Sequence, residues 1–600
     1  EQEPERLSEL GWEPDEIRRI HRSFCRTMPS RSLLSAPEAW SLTKEQAEEL
    51  LRRYGGRALS LLQRDPYFYL CDVGVRFAEA EQVAVRRGMT LEDPRRLRAA
   101  LLNVLTEAAE GEGHSVLSRQ ELLARTRSQR FQLHPLQAEQ ALQGLEQEGC
   151  VQVIEGGPWG TWVGRDTLVE EERSIAKALS RFCDFAEQPI WCAPPPDLNV
   201  LQREVVLAIQ RYRCVLLTGG PGTGKTHTMK SILSLGLGNV ILTAPTGKAT
   251  KRLQEMTGAP AQTLHRLLEY HPKLQRFGRH QDRCLEADLI VVDEAAMLDI
   301  VLMAGLLRAL DPQKTRLLLC GDANQLPSVG AGNVFADVLN ARKLPTVELT
   351  EVVRQEKENH ILPNARRVLA GQPLRVDNQQ CADFKFFPVR ATTQVEERQH
   401  LLETLEQIYQ KLREKGFADD QIQLLSPMKK GEIPGAYALN DVLQKLLRSG
   451  VRGPFIQAGT QSLYIGDRVI QRRNDYEREV FNGDTGLVVG VDNGLRVRFE
   501  QSVVEYSPDC FTDVELSYAI SIHKSQGSEW PVVILPLSLS HKSMLSRKLL
   551  YTAMTRAQRL LILLGDARAV AHAVAGQDEA DRFTSLPHWL NQSHGFSSTM

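Results

Sequence analysis

Cys214-Val-Leu-Leu-Thr-Gly219-Gly-Pro-Gly-Thr-Gly-Lys225-Thr226 is the stretch that decides how this 600-residue chain is read. A short apolar run suited to a buried strand leads into the pattern GxxxxGK[ST], and helix-compatible residues follow. Glycines let successive backbone N–H groups turn toward one anion, and a helix N-terminus behind them adds its dipole. The pattern predicts a phosphate cradle of Gly222, Thr223, Gly224, Lys225 and Thr226. In it, Lys225 reaches the β and γ phosphates and the Thr226 hydroxyl ligates Mg²⁺.

Such a cradle calls for a carboxylate site further along the chain. Leu289-Ile-Val-Val-Asp293-Glu294 supplies it as an apolar strand ending in two acids. Asp293 is expected to hold the Mg²⁺ shell, and Glu294 to orient or deprotonate the attacking water. ATP and Mg²⁺ are therefore the expected cofactors.

Outward from these two sites, apolar runs at Cys214–Leu217, Val240–Leu242, Leu289–Val292 and Leu317–Leu319 alternate with helical stretches. That alternation predicts parallel strands with crossover helices. Upstream, residues 1–185 read as a polar, mainly helical region, and Pro194-Pro195-Pro196 marks a boundary. Residues 455–510 carry short strands separated by Asn-Gly and Asp-Asn-Gly turns, the pattern of a small antiparallel β module. Strands return at Val532–Leu535 and Leu560–Leu564, so the module reads as an insertion in a second α/β domain. The expected division is 1–185, a first α/β domain at 190–348, a second at 349–454 and 511–580, the insertion at 455–510, and a polar tail at 581–600.

Hydrophobic residues at 42% and charged residues at 25% fit a multidomain globular chain and exclude collagen-like, disordered and disulfide-scaffold classes. No apolar run approaches the ~20 residues of a membrane helix. The opening Glu1-Gln-Glu-Pro-Glu-Arg6 lacks a signal-peptide layout and leaves room for a preceding segment. Ten scattered cysteines offer no CxxC pair, which favours a reducing cytoplasm. A net charge of −2 neither requires nor excludes a nucleic-acid partner.

The motifs further along resemble superfamily 1 helicases. Leu319-Cys-Gly-Asp322-Ala-Asn324-Gln325-Leu-Pro327 is similar to the motif whose Gln senses the γ-phosphate. Val353-Arg354-Gln355, Ser521-Ile-His523-Lys524-Ser-Gln526-Gly-Ser-Glu529-Trp530 and Tyr551-Thr-Ala-Met-Thr-Arg556 resemble the later motifs. Leu198-Asn199-Val-Leu-Gln202 resembles the adenine-reading motif. Thr243-Ala-Pro245-Thr246-Gly-Lys248 and Thr263-Leu-His265 resemble strand-contact motifs. Gly466-Asp467-Arg-Val-Ile-Gln-Arg-Arg-Asn474 with Phe481-Asn-Gly-Asp484-Thr-Gly486, and the long N-terminal extension, narrow the resemblance to stand-alone RecD-like enzymes of the 5′→3′ branch.

The resemblance implies two RecA-like motor domains, an SH3-like barrel as the insertion, and a multidomain α/β fold. It implies that Gln325, Arg354 and Arg556 join Lys225, Asp293 and Glu294 in catalysis, the two arginines acting as fingers in cis. It further implies that Pro245, Thr246, Lys248, Thr263, His265, Asn324, His523 and Lys524 contact DNA. The activity implied is an ATP-dependent DNA helicase translocating 5′→3′ on single strands and opening single-strand/duplex junctions, as a monomer, in recombination or repair. An RNA-directed helicase and a nucleotide-gated binding protein that unwinds nothing are the alternatives.

Two features leave their readings open. The family's N-terminal extension carries helix-hairpin-helix elements, which Val73-Gly74-Val75-Arg76 fits imperfectly, because Arg76 stands where a second Gly is expected. A plain packed helix pair is the alternative. Arg86-Arg87 and Arg95-Arg96 read as solvated faces or phosphate contacts. Residues 270–285, with Pro272 and Gly278, suit a short hairpin resembling the duplex-parting pin of RecD-like enzymes; a connecting loop is the alternative. There Lys273, Arg276, Arg279 and Arg283 face one acid of the stretch, Asp282.

Overall fold

The computed structural model describes residues 33–593, apart from 35–36, 129–130, 158–159, 184–191, 273, 352–359, 392, 432–433, 449–452, 476, 493, 501 and 577–581. The chain divides into two compact units, Glu1–Glu170 and Glu171–Met600.

In the first unit, helix Lys44–Tyr54 begins at a Thr43 capping box and stops at Gly55, whose φ of 58° ends the helical path. Two short helices, Pro66–Asp72 and Phe77–Arg86, are joined through Gly74 at φ +82°. Leu70, Phe77, Ala80 and Val83 bury their common face. Arg76, at the second turn position, is exposed and pairs with Glu79. The basic pairs are largely committed within the unit. Arg96 is only 4% exposed, bound to Glu81 and to the carbonyls of Leu91 and Phe131, so it is not part of a solvated face. Arg95 grips Asp93, and Arg87 lies 3.4 Å over the Trp40 ring.

The unit ends in strands that the helical reading of this region misses. Val116–Ser118, Gly160–Arg165 and Val151–Gly157 form a three-stranded antiparallel sheet against helices Pro94–Glu107, Arg119–Thr126 and Pro135–Gln147. Val151 and Val163 are buried on one face and Ile154 and Trp162 on the other, and this burial on both sides gives the hairpin its reason to form.

The second unit holds two wholly parallel sheets. In the first, the strand order is Thr346–Leu349, Cys214–Gly219, Arg316–Gly321, Leu289–Val292, Val240–Ala244, Ala261–Thr263. The period of two is visible in the packing: Cys214 and Leu216 enter one core, while Val215 and Leu217 enter the core on the opposite face. The strand carrying the phosphate loop is thus buried on both sides. The second sheet runs Phe384–Pro388, Ala557–Gly565, Trp530–Leu537, Ile422–Ser426, Ala519–Ser521.

Between these last strands sits the β module, a hairpin of Phe455–Ala458 with Gln461–Tyr464 and a five-stranded antiparallel sheet. Its edge strand Val514–Leu516 pairs with Arg468–Gln471 and so extends the module past residue 510.

Two further sequence boundaries shift. Ile175, Ala176, Leu179 and Phe182 pack in the core of the first parallel-sheet domain, so that domain begins before residue 185. The stretch read as a polar tail from 581 is docked instead: helix Leu586–Gln592 buries Leu586 and Leu590 in the same core. Residues 594–600 lie outside the described residues.

A chain beginning at Asp166 is expected to melt cooperatively. One beginning at residue 186 loses Ile175, Leu179 and Phe182, roughly 5 kcal/mol of burial, and should melt about 10 °C lower by circular dichroism. Equal melting temperatures would place the boundary back at 185.

Candidate nucleotide site and nucleic-acid interface

The phosphate loop leaves the central strand at Gly219. Gly222 and Gly224 take φ of +74° and +89°, conformations that a side chain would strain. Helix Lys225–Leu233 then starts from Gly224 with no side-chain cap, so its first N–H groups are not satisfied by a capping side chain. Lys225 Nζ donates to the Gly219 and Gly220 carbonyls at 2.7 and 3.1 Å, holding the ammonium over the loop. Gln202 is buried and accepts from the Asn199 N–H at 3.1 Å in a capping box that orients it. Thr226 is half-buried in the first turn of the helix.

Asp293 and Glu294 follow the strand Leu289–Val292. Glu294 takes φ +52°, a strained setting for a side chain, and its N–H donates to Asp293 Oδ1 at 2.9 Å. Burial and the adjacent Asp293 charge push the Glu294 carboxyl above its usual range, while Arg556, Lys225 and Arg252 pull it back. A carboxylate whose proton affinity is raised by its surroundings is suited to accept a proton from water. One of the opposing cations, Lys225, comes from the phosphate loop, and another, Arg556, from the second sheet domain.

Arg556 is 2% exposed and held by the Thr552 and Ser528 carbonyls at 3.0 and 3.2 Å. The same segment reaches the first domain twice. Tyr551 donates to Asp322 Oδ2 at 2.8 Å, and Thr552 Oγ1 accepts from the Leu326 N–H at 2.9 Å. A Cβ placed on Gly220 would lie 3.3 Å from the Tyr551 hydroxyl, so this residue stands directly against the phosphate loop. Gln526 Nε2 completes the contact by donating to Leu326 O at 2.7 Å. Gln325 is buried between these bonds. Arg354, the other expected finger, lies outside the described residues. Sequence reasoning gave no role to Tyr551, Asp322, Thr552 or Gln526; their place inside quoted motifs was the available clue.

Among the residues expected to contact DNA, helix Gly247–Thr257 is the meeting point. Thr246 caps it, and Pro245 precedes it half-buried. A Cβ on Gly527 would stand 3.2 Å from Thr246 Oγ1, and Arg252 pairs with Glu529 at 2.7 Å, so the second sheet domain abuts this helix. The β module abuts it too, through the Lys251–Glu500 pair and through Phe481, 3.4 Å from a Cβ on Gly247. Lys248 sits among them, 5.6 Å over the Trp530 ring, and burial pushes its ammonium down to about 8 despite the Asp484 carboxylate.

Thr263 caps the turn Leu264–Leu267. His265 packs against Tyr270 at 5.3 Å, and burial lowers its pKa. Asn324 is exposed, its N–H bound to Asp322 Oδ1. Burial and the nearby Arg582 charge also lower His523. Lys524 is tied to Glu515, on which Lys429 and Arg472 also converge at 3.6 and 3.4 Å.

The candidate pin is a stub of two-residue strands, Tyr270–His271 and Arg276–Phe277, with Leu274 exposed near its turn. Arg279 and Arg283 both pair with Glu269, one residue before the stretch whose charge was counted, so its basic character is lower than that count suggests. Lys273 lies outside the described residues.

Four sequence profiles match the chain. They are an ATP-dependent RecD2 DNA helicase HHH domain at 30–116, an AAA domain at 197–382, an ATP-dependent RecD-like DNA helicase SH3 domain at 439–505 and a UvrD-like helicase C-terminal domain at 516–564. The RecBCD enzyme subunit RecD of Mycolicibacterium smegmatis is 33% identical over 412 residues, 62% of this chain and 71% of that one. A crystal structure of Pif1 helicase from Bacteroides in complex with ADP-AlF3 and ssDNA aligns with a TM-score of 0.41 at 19% identity, over 64% of this chain and 95% of that one. The ATP-dependent RecD2 DNA helicase of Deinococcus radiodurans is 34% identical over 614 residues, 98% of this chain and 82% of that protein. With that similarity running nearly end to end over a phosphate loop, an acidic pair and an arginine set against them, the chain belongs to the family of ATP-dependent RecD2 DNA helicases.

Proposed function

We propose that the protein hydrolyses ATP to move 5′→3′ along single-stranded DNA and to open duplex at single-strand/duplex junctions, as a monomer in the cytoplasm, in recombination or repair. The observation that carries this reading is Arg556 and Tyr551, from the second motor domain, set against the phosphate loop and Glu294 of the first. A nucleotide shared between two domains lets hydrolysis open and close a cleft, the bistable element a motor requires.

In this reading Lys225, with the N–H groups of Gly222 through Thr226, grips the phosphates, and Gln202 faces the base. Glu294 takes the proton of the attacking water, Gln325 reads the γ-phosphate, and Arg354 and Arg556 stabilise its developing charge. The Thr226 hydroxyl and the Asp293 carboxylate, with Glu294 next to it, are hard oxygen donors, a set that fits Mg²⁺. When bound, the ion neutralises phosphate charge. Thr246, Lys248, Thr263, His265, Asn324, His523 and Lys524, with Pro245, line the strand path, and the hairpin at 270–277 meets the junction.

No helix among the described residues is long and apolar enough to cross a membrane.

Strand displacement tests the reading. A duplex with a 5′ tail is expected to open at least about tenfold faster than one with a 3′ tail, and Glu294→Gln is expected to bind ATP but displace nothing. Equal rates on both tails would refute the polarity. Displacement by Glu294→Gln at the wild-type rate would refute the site.

Lys248 gives a pH test. Its folded-state pKa of about 8 lies below the ordinary lysine value, so its proton is lost as pH rises through 8. The buried charge costs stability below that pH, and the cost fades above it; phosphate attraction runs the other way. Oligo-dT affinity is expected to fall about threefold to tenfold from pH 7 to 9 at constant salt. Lys248→Arg should flatten the profile, and a flat wild-type profile would remove Lys248 from the DNA path.

A further inference from the structure

The segment that follows Gln325, Leu326–Gly332, is held from two directions. At its start, Leu326 bonds to Thr552 and Gln526 of the second motor domain. At its end, the chain's last described segment returns to grip it. Arg582 Nη1 donates to Ser328 Oγ, Gly330 O and Gly332 O at 3.1, 2.8 and 2.7 Å, and Nη2 donates to Ser328 O at 2.5 Å. The loop has little room to yield. A Cβ on Gly330 would stand 2.4 Å from Asp299 Oδ2, and one on Gly332, at φ +96°, would stand 2.4 Å from Ile300 Cγ1. Ile300 N–H also donates to Ala331 O at 3.1 Å.

Arg582 is itself well founded. Thr584 donates to Asp337 Oδ2 at 2.8 Å, Ser585 donates to Glu172 through both its N–H and its hydroxyl, and Arg173 lies 4.2 Å over the Trp589 ring. Leu586 and Leu590 bury in the first motor core. The guanidinium therefore stands on an anchored strap rather than a loose end, and its planar fork spans acceptors on three residues, which a single ammonium cannot match.

The position of the loop gives the grip a consequence. Gln325 lies immediately before it, and Asp299, packed under Gly330, lies in the field of both His265 and Arg582. The nucleotide side, the second motor domain and the strand-contact side thus meet on seven residues. We propose that Arg582 is a positioning residue that keeps Leu326–Gly332 rigid, so that DNA occupancy and the nucleotide state at Gln325 act on each other through it. This rests on the motor function proposed above. Without the fork, the loop keeps its bonds to Thr552, Gln526 and Ile300 but loses the guanidinium that ties Ser328, Gly330 and Gly332 together, and the two sites respond to each other weakly.

The test is ATP hydrolysis by the full chain with and without oligo-dT, for wild type, Arg582→Ala and Arg582→Lys, with melting followed in parallel. The ratio of stimulated to unstimulated kcat is expected to fall about tenfold or more in Arg582→Ala and about threefold in Arg582→Lys, with KM for ATP within about threefold of wild type. A ratio within twofold of wild type in a folded Arg582→Ala overturns the proposal, as does an equal fall of both rates, which marks a purely structural role. Should Arg582→Ala fail to fold, Arg582→Lys decides, and an unchanged ratio in it overturns the proposal. A wild-type enzyme that oligo-dT does not stimulate would instead sink the motor reading.

Discussion

Two half-buried carboxylates set side by side repel each other and lose solvation, so Asp293 and Glu294 are tolerable only with positive charge close by. The protein draws that charge from both halves of the motor: Lys225 from the phosphate loop and Arg556 from beyond Trp530–Leu537 in sheet order. Much of the larger unit can be understood as the means of delivering them. The first sheet buries Cys214–Gly219 on both faces so that Lys225 emerges at a fixed point. The second carries Arg556 on a segment whose neighbours, Tyr551 and Thr552, bond across to Asp322 and Leu326. A motor that must open and close is better served by a few polar bonds of this kind than by a continuous apolar interface, since each is modest in net strength and easily exchanged for water.

The expected strand-contact side repeats the plan with different chemistry. Helix Gly247–Thr257 meets the second motor domain through Arg252–Glu529 and the β module through Lys251–Glu500. Such partly exposed pairs contribute modest stability and are weakened by salt. Lys248, largely desolvated between Trp530 and Asp484, is a cation whose charge state is itself near balance at neutral to mildly basic pH.

What the sequence made legible was local. The glycine-rich loop, the strand ending in Asp293-Glu294 and the Thr43 cap each depend on residues within a few positions, and their geometry follows from backbone rules. What it hid was long-range. Tyr551 finds Asp322 229 positions away, and Arg582 finds Ser328 254 away. No periodicity encodes such pairings. Ile175 and Phe182 looked like part of the N-terminal region because Pro194–Pro196 is a stronger local boundary mark than an apolar helix face whose partner strands lie later in the chain. The hairpin Val151–Arg165 escaped because its apolar alternation is short and interrupted by glycines. Arg279 and Arg283 looked free only because Glu269 lay outside the stretch whose charge was counted.

The central claim is that one nucleotide is shared by charges from both motor domains. Single-turnover hydrolysis by Arg556→Ala, with ATP affinity measured on the same protein, addresses it most directly. A finger that acts on the transition state should leave affinity within about tenfold of wild type and slow the chemical step by roughly a thousandfold. Hydrolysis within tenfold of wild type, at saturating ATP and DNA, would contradict the account.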